Sequence, residues 1–238
     1  MEGKSGLIQV WTISVSSAVR DDESLLQLLS PEENLRANRF HKPEDHASYI
    51  VAHAGVRMIL SQHYDIDLAS MSFRRSPTGK PLLVHAQGAP PVHFNLSHSG
   101  ALVVIAVSRD AEVGIDVEAI DPTLNLDEAG GFCSSVELAW LATLPDDQCL
   151  RALYRIWTIK EAMMKAEGSG LRSSLTDFSV DLTSSAYTEI HCSSPPSQPW
   201  FIQELEVPLG YTSALACRHS PMIIRQFAHL RAGKRGPC

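Results

Sequence analysis

The sequence predicts an α+β fold. Segments with strand-like alternation and segments with helical periodicity follow one another in mixed order, without the regular strand–helix–strand succession of a parallel array. No repeat with a period of about 20 to 50 residues is visible, which excludes solenoids and propellers. The chain has 238 residues, 44% of them hydrophobic and 20% charged. That is enough for one large domain or two smaller ones with ordinary packed cores.

In order along the chain, residues 7–15 alternate apolar and polar side chains as a strand does. A helix is expected over 21–29, and Ser30-Pro31-Glu32-Glu33 starts another: Ser caps orphan amides, Pro suits the first helical position, and acids suit the positive end. That second helix carries Arg36 and Arg39. A long, mostly apolar run over 46–63 reads as the buried helix of the first half. Residues 74–80 and 88–91 are turn-rich. Residues 92–96 and 101–107 read as a β-hairpin around a Ser97-His98-Ser99-Gly100 loop, and 113–118 resumes alternation. A boundary near 110 divides the chain into halves 1–110 and 111–238.

In the second half, helices are expected over 126–131, over 134–144 (capped by Ser134 or Ser135, with Glu137 following) and over 147–167, where Gly168 supplies a stop. Strands are expected over 178–182, 200–207 and 211–217, a Ser/Pro-rich loop over 193–199 and a frayed tail over 232–238.

The formal charge of -7 gives no global attraction for nucleic acid or an anionic membrane, so an anionic ligand needs a local basic cluster or a bound cation. Five scattered cysteines without a Cys-x-x-Cys pair argue against a disulfide framework or a structural zinc site, and the ten histidines show no His-Glu-x-x-His spacing. The opening Met-Glu-Gly-Lys-Ser-Gly lacks the apolar core of a secretory signal, and no stretch has the length of a membrane span. A cytoplasmic protein is expected.

Residues two apart on a strand share a face, so Asp116 and Glu118 project together while Ile115 and Val117 enter the core. Two oxygen ligands facing one way suit a hard cation such as Mg²⁺, or acid–base work; an outward-facing acidic strand would look the same. Helical spacing puts Trp157, Glu161 and Lys165 on one face, either as a third carboxylate beside a phosphate-binding cation or as an ordinary surface pair. Met163 and Met164 read as core fillers. Adjacent residues of an extended segment point oppositely, so Ser97 is poorly placed for activation by His98. The loop instead offers hydroxyl, imidazole and amide groups to an anion, or is a plain polar turn. Lys80, Arg36, Arg39 and Lys42 are candidate phosphate contacts or solvated cations.

Taken in order, Phe94-Asn95-Leu96-Ser97-His98-Ser99-Gly100, Gly114-Ile115-Asp116-Val117-Glu118 and the block from Trp157-Thr158-Ile159-Lys160-Glu161 through Lys165-Ala166-Glu167-Gly168 resemble the signature blocks of the Sfp-type 4'-phosphopantetheinyl transferases. Gly79-Lys80-Pro81 stands where that family carries a Gly-Lys-Pro turn, and a looser likeness runs from Ser30-Pro31 through Asp177-Phe178-Ser179-Val180. The resemblance implies two pseudo-symmetric α/β lobes in a monomer, with coenzyme A and Mg²⁺ in the cleft between them. The implied reaction moves the phosphopantetheine arm of coenzyme A to a serine of an apo acyl or peptidyl carrier protein and releases adenosine 3',5'-bisphosphate.

Residue by residue, Asp116, Glu118 and Glu161 resemble the metal-site carboxylates, and Glu161 also matches the residue that deprotonates the serine. Lys165 resembles the pyrophosphate lysine that assists the leaving group. Ser97 and His98 match the loop at the 3'-phosphate side of coenzyme A, Lys80 and Pro81 the adenine pocket. Lys160, beside Glu161, and Arg36 and Arg39 are further cations, so that Lys80, His98, Lys160 and Lys165 form a ring of positive charge. Two departures stand out: His46-Ala47-Ser48-Tyr49 replaces a basic residue near the start of the long helix, and Glu33 stands where some relatives carry lysine. Competing readings are a noncatalytic carrier- or coenzyme A-binding module and an unrelated magnesium phosphohydrolase. The sequence leaves open which carrier and pathway are served.

Overall fold

The computed structural model describes residues 6–18, 22–84, 88–124, 131–168, 175–182, 189–192, 200–218 and 222–227. The fold is α+β in two lobes. In each lobe one 22-residue helix lies on one sheet: α4 (Pro43–Tyr64) on β1 (Gly6–Ser14), β4 (His93–Ser99), β5 (Leu102–Ser108) and β11 (Met222–Phe227), and α6 (Asp146–Glu167) on β6 (Val113–Ala119), β9 (Phe201–Glu204) and β10 (Tyr211–Cys217). The strand orders are β11-β1-β5-β4 and β6-β10-β9. All pairings in these sheets are antiparallel except β11, which returns to the first sheet and pairs parallel with β1.

The two sheets face each other. Ile8, Val10, Leu102, Val104 and Ala106 from one pack against Val113, Ile115, Val117, Leu215 and Cys217 from the other. The opposite face of the first sheet (Trp11, Ile13, Val103, Ile105, Val107) packs on α4, and Ala214 and Ala216 pack on Ile159, Ala162 and Met163 of α6. The molecule is therefore layered helix, sheet, sheet, helix. Strand β5 reads as an unbroken apolar run because both its faces are covered, and all seven of its residues are buried.

Several expected boundaries move. Val15 opens a short helix α1 (Val15–Ala18), and the helix expected over 21–29 is only α2 (Asp22–Leu26). Helix α3 (Pro31–Ala37) has a full capping box, Ser30 with Glu33, and ends before Arg39. Of the two serines considered for α5 (Ser135–Leu141), Ser134 is the cap, again boxed with its Glu137. The hairpin turn is two residues rather than four: Ser97, His98 and Ser99 belong to β4, and Gly100 turns the chain at φ 53. The basic turn after Arg75 joins a small ribbon, β2 (Phe73–Arg75) and β3 (Pro81–Leu83), and β7 (Phe178–Asp181) pairs with β8 (Glu189–Cys192). The expected helix over 126–131 (Gly131 apart), loop over 193–199 and tail over 232–238 lie outside the described residues. Among the described residues, no helix is long and apolar enough to cross a membrane.

One contact fixes how β6 meets α6. A side chain at Gly114 would overlap the Ala162 carbonyl oxygen and the Ala166 amide nitrogen, so strand and helix touch backbone to backbone. Gly114→Ala should therefore destabilise the fold by about 3 kcal/mol or more, the upper range of overpacking, measured as a lowered urea midpoint. An unchanged midpoint would refute this.

Candidate active site

The strand alternation that sends Ile115 and Val117 between the sheets turns Asp116 and Glu118 toward α6. From α6, Trp157, Glu161 and Lys165 come forward on successive turns. Trp157 Nε1 donates to Glu118 Oε1 at 3.3 Å, and Lys165 Nζ donates to Asp116 Oδ1 at 2.6 Å and to Ser97 Oγ at 3.0 Å. From β4, Ser97 Oγ donates to Asp116 Oδ1 and Ser99 Oγ to Glu118 Oε2, each at 2.8 Å. Asp116, Glu118, Glu161 and Lys165 are thus brought together, and Ser97, which the resemblance assigns to the 3'-phosphate side of coenzyme A, joins them on Asp116. Ser97 and His98 point to opposite sides, Ser97 buried and His98 exposed, so they form no nucleophile–base pair.

This cluster concentrates negative charge in a poorly solvated place. Burial pushes the Asp116 carboxyl upward against the pull of Lys165 and Ser97. Burial and then the charge of Asp116 raise Glu118, while burial, Asp116 and Glu118 raise Glu161 against Lys165. Asp116 Oδ2 is buried without a hydrogen-bond partner among the described residues. Among the described residues no three His, Cys, Asp or Glu side chains form a ready metal cage, and the Lys165 ammonium is what neutralises Asp116. An orphaned carboxylate oxygen among acids that repel one another is nonetheless a donor set suited to a hard cation.

The remaining expected cations divide. Arg36 and Pro81 line a cavity of about 620 Å³ between α3, α4 and the β2–β3 ribbon, which also takes in Tyr49, His53, Arg57, Arg74, Arg75, Phe94 and Leu96. Lys80 is not on that wall: its ammonium is held by Glu112 at 2.8 Å and by the Val113 carbonyl at 3.3 Å. Arg39 is exposed beyond the end of α3 and off the cavity wall.

Lys160 is a correction. It is 0% exposed, and its ammonium donates to Glu137 Oε2 and the Leu175 carbonyl at 2.6 Å and to the carbonyls of Phe132 and Phe178 at 2.9 and 3.0 Å. One residue along the helix from Glu161 is a rotation of about 100°, which turns Lys160 into the core and away from any phosphate. Burial pushes this ammonium toward neutrality, and Glu137 opposes it. Of the proposed ring of positive charge, Lys165 remains in the cluster. Lys160→Ala should cost about 3–5 kcal/mol in urea unfolding, because it strands a buried carboxylate. Wild-type stability with weakened coenzyme A binding would restore the phosphate role.

Sequence reasoning missed the network on the cavity wall. Arg57, buried on α4, donates through Nε (3.1 Å) and Nη2 (2.8 Å) to Glu33 Oε2 and through Nη1 (3.3 Å) to the Met71 carbonyl, and His53 Nδ1 lies 3.2 Å from Glu33 Oε1. His53 and Arg57 stand four apart on α4, the one signal available beforehand. Burial raises Glu33, but His53, the Ser30 amide and Arg57 outweigh it and bring the carboxyl from 4.5 to about 2. A depressed carboxylate contributes stability that is present above its unfolded value and lost as pH falls toward its folded value. Glu33→Gln should therefore lower the thermal midpoint at neutral pH, with the gap to wild type closing between pH 4.5 and about 2; a gap constant across that window would contradict this.

Residues 112–217 match the 4'-phosphopantetheinyl transferase superfamily, and residues 17–110 match the 4'-phosphopantetheinyl transferase N-terminal family. Similar relatives include the 4'-phosphopantetheinyl transferase Sfp of Bacillus subtilis (strain 168), 32% identical over 84% of this chain and 86% of its own. HetI of Nostoc sp. (strain PCC 7120) is 33% identical over 74% of each chain, and ffp of Bacillus subtilis is 31% identical over 82% and 84%.

Proposed function

The chain belongs to the Sfp-type 4'-phosphopantetheinyl transferase family and is a transferase acting on carrier proteins, and from that premise we propose that it uses coenzyme A as donor, depends on Mg²⁺ and releases adenosine 3',5'-bisphosphate. The observation that carries this reading is the buried Asp116 Oδ2, without a hydrogen-bond partner among the described residues, beside Glu118 and Glu161 in a cluster that already contains Lys165. Asp116, Glu118 and Glu161 would hold the cation. When bound, Mg²⁺ supplies neutralisation of the pyrophosphate charge.

The chain's own residues do the rest. The carrier serine oxygen attacks the phosphorus on the pantetheine side of the pyrophosphate, a phosphoester bond forms and the anhydride bond breaks. Glu161, whose carboxylate has no hydrogen-bond partner among the described residues and is shifted upward by burial, takes the serine proton. Lys165 is the cation placed to meet charge on the departing phosphate. The cavity walled by Arg36, Arg74, Tyr49 and Phe73 offers guanidinium groups and aromatic faces to the adenosine end of the donor. The protein acts as a monomer in the cytoplasm.

Intact-mass analysis of an apo carrier protein incubated with the protein, coenzyme A and Mg²⁺ tests the reading. A gain of one phosphopantetheine unit that EDTA abolishes is expected; coenzyme A binding without transfer to any acyl or peptidyl carrier would overturn it. Asp116→Ala and Glu161→Ala should fold as the wild type does and lose about 10²–10⁴ in turnover. Wild-type turnover in both would sink the site assignment.

A further inference from the structure

Strands β4 and β6 are the edges of two different sheets, and they run side by side without pairing through their backbones. Three alternate residues of β4 bridge the gap. Asn95 Oδ1 accepts from the Ile115 amide at 2.9 Å, Ser97 Oγ donates to Asp116, and Ser99 Oγ accepts from the Ala119 amide at 3.0 Å while donating to Glu118 Oε2 at 2.8 Å. Side chains thus occupy part of the exposed edge that a neighbouring strand would otherwise cover.

The polarity at Ser99 follows from its chemistry. A hydroxyl has one hydrogen; with its oxygen taken by the Ala119 amide, that hydrogen goes to Glu118. The other carboxylate oxygen of Glu118 is held by Trp157 Nε1, which can only donate. Glu118 is therefore fixed at both oxygens, each retaining lone pairs, from two different elements of the fold. Glu161, by contrast, has no such tether among the described residues.

We propose that Ser99 is a positioning residue that, with Trp157, holds the Glu118 carboxylate beside Asp116 in the orientation a divalent cation requires. This rests on the reading of Asp116, Glu118 and Glu161 as a cation site. It assigns different work to the two serines of β4. Ser97 and Lys165 both donate to Asp116 Oδ1 and leave Oδ2 to a cation, whereas Ser99 sets the direction of Glu118 while keeping the β4 and β6 edges in register.

The test is titration of the full-length protein with Mn²⁺ alone, free Mn²⁺ being read by electron paramagnetic resonance, alongside thermal unfolding of each variant. Ser99→Ala should weaken Mn²⁺ binding by about tenfold, the usual effect of removing a group that orients a metal ligand. Ser99→Thr, which keeps the hydroxyl, should bind nearly as the unmodified protein does. Trp157→Phe keeps the ring but loses the N–H, and should weaken binding in the same direction even if Ser99→Ala does not fold. Unchanged Mn²⁺ affinity in Ser99→Ala and Trp157→Phe would overturn the proposal, as would Ser99→Thr binding as weakly as Ser99→Ala. Equal Mn²⁺ binding by the unmodified protein and Asp116→Ala would instead remove the cation site itself, and the proposal with it.

Discussion

The geometry of the site depends on the absence of a side chain at Gly114. Any Cβ there would enter the backbone of α6 at Ala162 and Ala166, so only glycine lets the strand and helix meet this closely. Moving out from that contact, Asp116 and Glu118 are the next two residues on the same strand face, and Glu161 and Lys165 immediately precede Ala162 and Ala166 on α6. The approach that buries the glycine therefore brings three carboxylates and an ammonium together in a space where water screens them poorly. The raised carboxyls of Asp116, Glu118 and Glu161 are the electrostatic consequence of that packing.

A second buried ion pair holds the far side of α6. Glu137 closes the capping box of α5, accepts from the Val180 amide at 2.8 Å and pairs with Lys160. A single carboxylate thereby ties α5, β7 and α6 together. Such a pair is weak evidence for net stability, since burying both charges costs much of what their attraction returns. It is strong evidence for a fixed orientation, because every acceptor around the Lys160 ammonium has one place to be. Lys160 and Lys165 thus divide the work of the helix, one setting its rotation and the other reaching the acids that rotation presents.

Much of this was legible in the sequence where a single periodicity governed it. The period of two on β6 put Asp116 and Glu118 on one face, the spacing of four on α6 put Trp157, Glu161 and Lys165 on another, and the resemblance to the family made these faces candidates for one site. The same helical period turns Lys160 toward the side of Ile156 and Met163, so its burial was present in the pattern and was obscured by its being read with its neighbour Glu161. The polar Ser97-His98-Ser99 segment reads locally as a loop because its partners lie across a seam between two sheets, about twenty residues away, where polar side chains replace a backbone ladder. Lys80 with Glu112, and Glu33 with Arg57, are pairings made by tertiary packing. Apart from the spacing of four between His53 and Arg57, nothing local in the chain marks them.

Strand β4 is where the two halves of the site become one. Its even-numbered residues Phe94 and Leu96 line the cavity that Arg36, Arg74 and Arg75 make basic, and His98 shares their strand face. Its odd-numbered residues Asn95, Ser97 and Ser99 face β6, Asn95 accepting from the Ile115 amide and the two serines holding Asp116 and Glu118. A chain of net charge -7 can in this way present cations in one place and carboxylates in another, separated by the thickness of one strand. The alternation also makes the arrangement unforgiving. A slip of one residue would send the serines into the cavity and Phe94 and Leu96 against Asp116 and Glu118. The short Gly100 turn and the pairing of β4 with β5 from His93 to Ser99 are what hold that register, so the hairpin is as much a part of the site as the charged residues it positions.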